Sequence, residues 1–290
     1  MNTTTMPTST PGPEVTVVDA ADLRWANGRE VYESMEPAFR DNIAVDSDEA
    51  RILGLLEKYS IRTLWIDPVT TRRIDHLRAA PGYVDLSEAY HDSVEEALFL
   101  GGRVTLTAEG PMEAGDYFWR PPGWVHAARS DEGFEAILMM EGEADTEGSG
   151  RVSRVPRPDD RVGHHDRASS ADDPIGPRGY VRRAETRFMV WRAHDDSVTA
   201  LGGEGLLSKM LSSNATTDAC SALVRLPAGW TSGEETVPRE RFLVVTSGSV
   251  RVGDTDLGVG SLLRTSAGTA LPDTSSPDGA ELLVKVGAPG

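Results

Sequence analysis

Residues 115–126 read GDYFWRPPGWVH. A glycine opens the stretch, a strand-like run with aromatic residues follows, and a Pro-Pro-Gly turn leads to His126. Just upstream, the stretch HDSVEEALFLGG at 91–102 places His91 near the end of one predicted strand and Glu95 at the start of the next. Short strands separated by Gly or Pro are typical of a β-sandwich or barrel.

The same pattern extends outward in both directions. No alternation of strands and helices is visible, which argues against a parallel α/β fold. SDEARILGLLEKY at 47–59 predicts a helix, with acids in its first turn and apolar residues on one face, and 19–40 is predicted to be partly helical. We therefore predict an all-β chain with short N-terminal helices. Its expected parts are a disordered tail at 1–14, a flanking segment at 15–60, a barrel at 61–142, a linker at 143–186 and a second barrel at 187–290.

An internal repeat supports two barrels. Turn glycines recur in the same order on both sides of the linker at offsets of 145–147 residues. The pairs are Gly82 with Gly229, Gly102 with Gly248, Gly115 with Gly260, and Gly123 with Gly268. Conserved order at nearly constant spacing within one chain indicates one fold built twice.

Composition narrows the range of partners. The formal net charge of −17 disfavours nucleic acid and anionic membrane surfaces as partners. Cys220 is the single cysteine, so an internal disulfide is impossible and a reducing, cytoplasmic location is expected. The N-terminal residues lack the pattern of a signal peptide, and no apolar run approaches the roughly 20 residues of a membrane helix.

The two quoted stretches resemble the conserved motifs of the cupin superfamily. The second motif, G-x5-P-x-G-x2-H-x3-N, is matched from Gly115 to His126, with Ser130 in place of the final Asn. The first motif, G-x5-H-x-H-x(3,4)-E-x6-G, is matched from His91 onward, whereas Ala89 stands at its first histidine. The resemblance implies two tandem jelly-roll barrels. It also implies a metal site in the first barrel.

The implied metal ligands are His91, Glu95 and His126. Two imidazoles and one carboxylate form a facial triad that leaves coordination positions open, as a catalytic metal requires. Fe(II) suits this ligand set best, and Zn, Mn, Ni and Cu remain alternatives. Ala89 leaves open whether this is a three-ligand site or one in the course of being lost.

Other residues are secondary candidates for the same site. Glu96 replaces Glu95 if the turn is one residue longer, although strand alternation favours Glu95. His76 lies on the strand that enters the barrel and either fills the position vacated at Ala89, lines the pocket or is hydrogen-bonded within the strand. Tyr90 and Trp119 are candidate pocket walls whose direction depends on the strand register.

The second barrel has lost the ligand pattern. Arg241 stands at the glutamate position, Val237 and Glu235 at the two first-motif histidines, and Leu271 at the second-motif histidine. With no imidazole at any of these positions, a metal site is not expected there. The predicted role of this barrel is structural.

The cupin resemblance implies several activities, because fold alone does not define the substrate. The leading hypothesis is a non-haem Fe(II) oxygenase that acts on a small organic molecule. Alternatives are a redox-neutral lyase, isomerase or decarboxylase, a metal-binding sensor like the ChrR-type cupins, and metal-free acid–base chemistry by His126 and Glu95. The resemblance also leads us to consider a homodimer.

Overall fold

The flanking region contains the two α-helices found among the residues that the computed structural model describes. Helix α1 (Gly28–Ser34) starts with a capping box, in which Asn27 Oδ1 accepts from the Glu30 N–H and the Glu30 carboxylate accepts from the Asn27 N–H. Helix α2 (Glu49–Leu56) lies inside the predicted helix at 47–59. The described residues are 14–34, 49–68, 70–85, 93–122, 124–141, 178–195, 199, 201–233, 236–237 and 239–289.

The first barrel is built from antiparallel strands in two sheets. Its long central strand, β6, takes part in both: its first half pairs with β8 and β10, and its second half pairs with β7 and β9. The strands are β2 (Ala26–Asn27), β3 (Tyr59–Ile66), β4 (Arg73–Ala79), β5 (Tyr83–Val84), β6 (Val94–Leu106), β7 (Gly110–Glu113), β8 (Asp116–Arg120), β9 (Ala128–Ser130), β10 (Phe134–Glu141) and β11 (Val181–Glu185).

The second barrel repeats this plan, with a seven-stranded sheet facing smaller ones. The all-β, double-barrel prediction is confirmed. The strands are β1 (Val15–Val18), β12 (Arg192–Ala193), β13 (Leu207–Ser213), β14 (Cys220–Leu226), β15 (Trp230–Thr231), β16 (Thr236–Val237), β17 (Arg239–Gly248), β18 (Val250–Val252), β19 (Thr255–Leu257), β20 (Leu262–Thr265), β21 (Thr269–Ala270), β22 (Thr274–Ser276) and β23 (Ala280–Pro289).

Three strands lie outside the barrel boundaries that the sequence predicts, and one of them, β2 in the predicted flanking segment, pairs with β3 of the first barrel. Strand β1, in the predicted flanking segment, pairs with β20 of the second barrel. Strand β11, in the predicted linker, pairs with β8 of the first barrel. The second barrel thus receives a strand that precedes the first barrel in sequence, and the first barrel receives a strand that lies just before the second. Strands β1 and β11 are short and their partners are distant in sequence, so no local pattern indicates the pairing. Residues 143–177 of the predicted linker lie outside the described part.

The glycine repeat corresponds to a repeat in backbone geometry. Paired glycines adopt nearly equal positive φ angles: 77° and 79° at Gly82 and Gly229, 71° and 72° at Gly102 and Gly248. Gly115 and Gly260 agree equally well, at 83° and 84°. Since positive φ is strongly disfavoured for other residues, the shared turns explain why glycine recurs at these spacings.

The two barrels pack against each other through a shared interface core. Trp65 of the first barrel contacts Phe242 of the second with ring centroids 4.8 Å apart. The buried members of this core are Leu64, Ile74, Val94, Leu98, Tyr117, Trp119, Ile137 and Met139 from the first barrel, and Leu211, Leu223, Phe242, Val244, Leu262 and Leu283 from the second. Each barrel also has its own core.

Cys220 is buried on β14, and burial raises the pKa of its thiol, which agrees with a structural role. In the parts of the chain with described structure, no helix has the length and apolar character needed to cross a membrane.

Candidate metal centre in the first barrel

Adjacent glutamates on β6 point to opposite sides of the strand. Glu95 lies on the same face as Ala97 and Phe99, which belong to the first-barrel core. Glu96 faces the second barrel, where its carboxylate contacts the Lys285 ammonium group. Alternation therefore directs Glu95 into the barrel and Glu96 out of it, so Glu96 is not placed to replace Glu95 in the interior.

The inward carboxylate of Glu95 forms a buried ion pair with Arg120. The two residues are direct cross-strand partners on β6 and β8, and Arg120 Nη1 donates to Glu95 Oε2. Arg120 also binds Glu109 through two bonds, Nε to Oε1 at 3.0 Å and Nη2 to Oε2 at 2.7 Å. Burial opposes the charge on Arg120, but the carboxylates of Glu95 and Glu109 outweigh it and raise its pKa.

His126, six residues after Arg120, approaches the same carboxylate. Its Nδ1 lies 2.9 Å from the Trp124 carbonyl oxygen, which can only accept a hydrogen bond, so Nδ1 carries a proton. In the neutral ring, Nε2 then presents a lone pair, and it lies 3.4 Å from Glu95 Oε2. A lone pair and a carboxylate oxygen that face each other favour a cation between or beside them.

The distance between His126 and Glu95 suits two ligands of one metal ion. At 3.4 Å, His126 Nε2 and Glu95 Oε2 are close enough for both atoms to bind one ion. Within the described ranges, no group of three or more His, Cys, Asp or Glu side chains is placed to hold a metal. His91, the third predicted ligand, and Tyr90 lie outside those ranges.

Two other secondary candidates lie away from this interior. His76 is 1% exposed on the outer face of β4, where Nδ1 contacts Arg62 and Nε2 lies 2.5 Å from Glu135. Burial and the Arg62 charge lower the His76 pKa to about 4. Trp119 belongs to the interface core. The register places both on the faces of their strands opposite to that of Glu95.

Further residues complete the interior, and motif reasoning missed them. Tyr180 donates to Glu109 Oε1 at 3.0 Å and reaches the barrel from beyond the linker. Asp85 accepts from Tyr83 and from the Ala128 N–H, and burial raises its pKa to about 6. Arg120 falls at a position that the motif leaves unspecified. Only its place at the end of a predicted strand, directly before Pro121, could have suggested that its side chain points inward.

The second barrel contains different groups at the equivalent positions. Arg241 is fully buried on β17, with Nε 3.2 Å from Thr265 Oγ1. Leu271 belongs to the second-barrel core, together with Trp230 and Leu243. A buried arginine and a core leucine therefore stand in the second barrel at the positions equivalent to Glu95 and His126.

Comparisons with known proteins identify solved structures with the same architecture. No protein-family model matches the chain, and no curated protein matches its sequence. A candidate dioxygenase from Nostoc punctiforme superposes with a TM-score of 0.69 at 14% identity, covering 97% of this chain and 85% of its own. A bacterial pirin from Escherichia coli in complex with nickel(II) gives 0.53 at 12% identity, covering 96% of this chain and 100% of its own.

Proposed function

We propose that this chain, which has the two-barrel fold of the cupin superfamily, is a metal-dependent enzyme acting on a small organic molecule in its first barrel. The proposed protein ligands are Glu95, His126 and, from the sequence motif, His91. The observation that carries the proposal is the approach of His126 Nε2 to Glu95 Oε2 at 3.4 Å inside the barrel.

The finer proposal is a non-haem Fe(II) oxygenase. A two-histidine, one-carboxylate ligand set leaves positions for substrate and O2, and the bound ion would supply Lewis-acid and redox chemistry there. The protein's own contribution is to hold the ligands: the Trp124 carbonyl fixes the His126 tautomer, and Arg120 orients Glu95. A redox-neutral lyase, isomerase or decarboxylase would use the same residues.

Metal analysis of the purified protein tests the proposal. We expect about one first-row divalent ion per chain, bound through Glu95 and His126. Glu95→Gln and His126→Ala should each lose it, because each removes a proposed ligand. His194→Ala is the matched control, since His194 is hydrogen-bonded to Thr199 in the second half of the chain. Wild-type protein that takes up no stoichiometric metal would contradict the proposal.

Nitric oxide tests the finer proposal. Protein loaded with Fe(II) without oxygen should bind nitric oxide at an open coordination position and give the half-integer-spin resonance of such complexes. Consumption of O2 that depends on an added organic substrate should follow. Loading without a nitric oxide signal would instead favour a closed, structural site.

A second candidate function is metal-free acid–base catalysis. It is favoured by the Arg120 guanidinium, which already neutralises Glu95 next to His126. Turnover that survives extensive chelation would support it, and turnover restored only by added metal would exclude it.

A further inference from the structure

Arg120 lies where it affects any cation that binds Glu95. Its side chain is 1% exposed, and its Nη1 contacts Oε2, the same carboxylate oxygen that faces His126. A divalent ion using Oε2 and His126 Nε2 would share that oxygen with a buried guanidinium. At such short separation and low local dielectric, repulsion between the two cations is large.

Arg120 also has a second anionic partner that could retain it. Glu109, 2% exposed, binds Arg120 through Nε and Nη2, while Glu95 is bound through Nη1 alone. Tyr180 donates to Glu109 and holds that carboxylate in place. Loss of the Glu95 contact would therefore leave the bidentate pair with Glu109 intact.

The net charge of these groups also indicates that Arg120 and a metal ion compete. Glu95, Glu109 and Arg120 together carry a net charge of −1, so a divalent ion would leave the group at +1. Without Arg120, the two carboxylates would balance a divalent ion. The guanidinium thus fills part of the electrostatic role of a metal.

We propose that Arg120 competes with the metal ion for Glu95. When the site is empty, Arg120 neutralises Glu95, and when an ion binds, Arg120 pairs with Glu109 alone. This inference rests on the proposed metal site and adds a determinant of its affinity. Arg120 is a positioning residue: its ion pair with Glu95 lowers the affinity of the site for the metal. The site is therefore occupied only at higher concentrations of the metal ion.

The test compares two variants that differ by one charge at similar side-chain length. Arg120→Met/Glu109→Gln removes the guanidinium without leaving Glu109 as an unpaired buried carboxylate, and Arg120→Lys/Glu109→Gln retains a cation. Mn(II) affinity is measured by the loss of the free-ion resonance on titration. We expect the methionine variant to bind Mn(II) at least about tenfold more tightly than the lysine variant.

Glu109→Gln alone provides a test in the opposite direction that keeps Arg120. With its bidentate partner neutralised, Arg120 should hold Glu95 more strongly, and Mn(II) should bind several-fold more weakly than to the wild type. Near-ultraviolet circular dichroism checks that each variant is folded. Adding His126→Ala to the methionine variant should abolish the gain if the ion occupies the proposed site.

The outcomes separate this inference from the proposed function. If the wild type binds Mn(II) but the methionine and lysine variants have equal affinity, the competitor role is wrong and the metal site stands. Tighter binding by the methionine variant with weaker binding by Glu109→Gln supports the competitor role. If neither the wild type nor any variant binds the ion, both the metal site and the competitor role are refuted.

Discussion

Gly102 lies on β6, next to the irregularity in its pairing with β10, at a position that has no room for a side chain. Its φ is +71°, and a Cβ atom there would lie 2.1 Å from the Gly133 carbonyl oxygen and 2.7 Å from Phe134 Cα. Both obstacles are backbone atoms. We therefore expect Gly102→Ala to lower the free energy of unfolding by about 2–4 kcal/mol, from backbone strain and the clash together.

The neighbouring glycine is the matched control for that substitution. Gly101 has an ordinary φ, and nothing lies within 4 Å of the position a Cβ would take. Gly101→Ala should change stability by no more than about 0.5 kcal/mol in urea unfolding. Equal losses for the two variants would show that the backbone conformation at Gly102 does not limit stability.

Asp85 should make the stability of the first barrel depend on pH. Its folded pKa of about 6 lies above the ordinary value of 3.8, because burial disfavours the charged form. The folded state therefore binds more protons than the unfolded state between these values, and stability is lost as pH rises from about 4 to 6. The comparison of the wild type with Asp85→Asn isolates this effect.

Asp85→Asn cannot titrate, so the stability difference between wild type and variant should change with pH. Relative to the variant, the wild type should lose up to about 3 kcal/mol between pH 4 and pH 7. Unfolding in urea at several pH values measures it. A difference independent of pH would mean that the Asp85 carboxyl is not shifted on folding.

At the scale of single residues, the sequence proposes as ligands only the residues that a motif specifies. The sequence favours Glu95 over Glu96 by strand alternation, and along β6 Glu95 faces the barrel interior while Glu96 faces the second barrel. Arg120 and Glu109 could not be predicted as a pair. Their meeting depends on the register between β6 and β8 and on the path from β6 to β7, and neither follows from spacing alone.

At the scale of elements, β6 connects the candidate site to the second barrel. Glu95 faces the site, while Glu96 is held by Lys285 on β23, by the Tyr117 hydroxyl at 2.5 Å and by the Ser221 hydroxyl at 2.7 Å. Burial alone would raise the Glu96 pKa, but Lys285 and Arg178 lower it to about 2. The second barrel thus stabilises the strand that carries the candidate ligand.

Lys285→Met should destabilise the molecule, because Glu96 would lose the main cation that compensates its buried charge. The expected loss is about 3 kcal/mol, reduced to the extent that Arg178, 4.0 Å from Glu96, compensates. Glu96→Gln/Lys285→Met should lose less than the single variant, since no buried charge is left uncompensated. Urea unfolding of the four proteins in this double-mutant cycle gives the coupling energy. A coupling energy near zero would mean that the Glu96–Lys285 pair does not stabilise the contact between the barrels.

At the scale of the whole molecule, the sequence predicts two barrels but not how they are joined. The glycine repeat reports turns, which are local, so it identifies both copies of the fold. The pairing of β1 with β20 and of β11 with β8, which we call the exchange, joins short strands that are far apart in sequence, so local patterns do not predict it. The cytoplasmic location and the homodimer remain predictions.

Deletion of residues 1–18 tests the exchange directly. Strand β1 pairs with β20 from Val15 to Val18, and Glu14 adds an ion pair with Arg264 at 2.9 Å. Its loss would make β20 an edge strand and remove Val18 from the interface core. We expect the thermal midpoint of unfolding to fall by about 5–10 °C. The matched deletion of residues 1–13, which keeps β1, should leave the midpoint nearly unchanged, because the sequence predicts that segment to be a disordered tail. If both deletions behave alike, β1 does not stabilise the second barrel, and the two barrels depend on each other through their interface core alone.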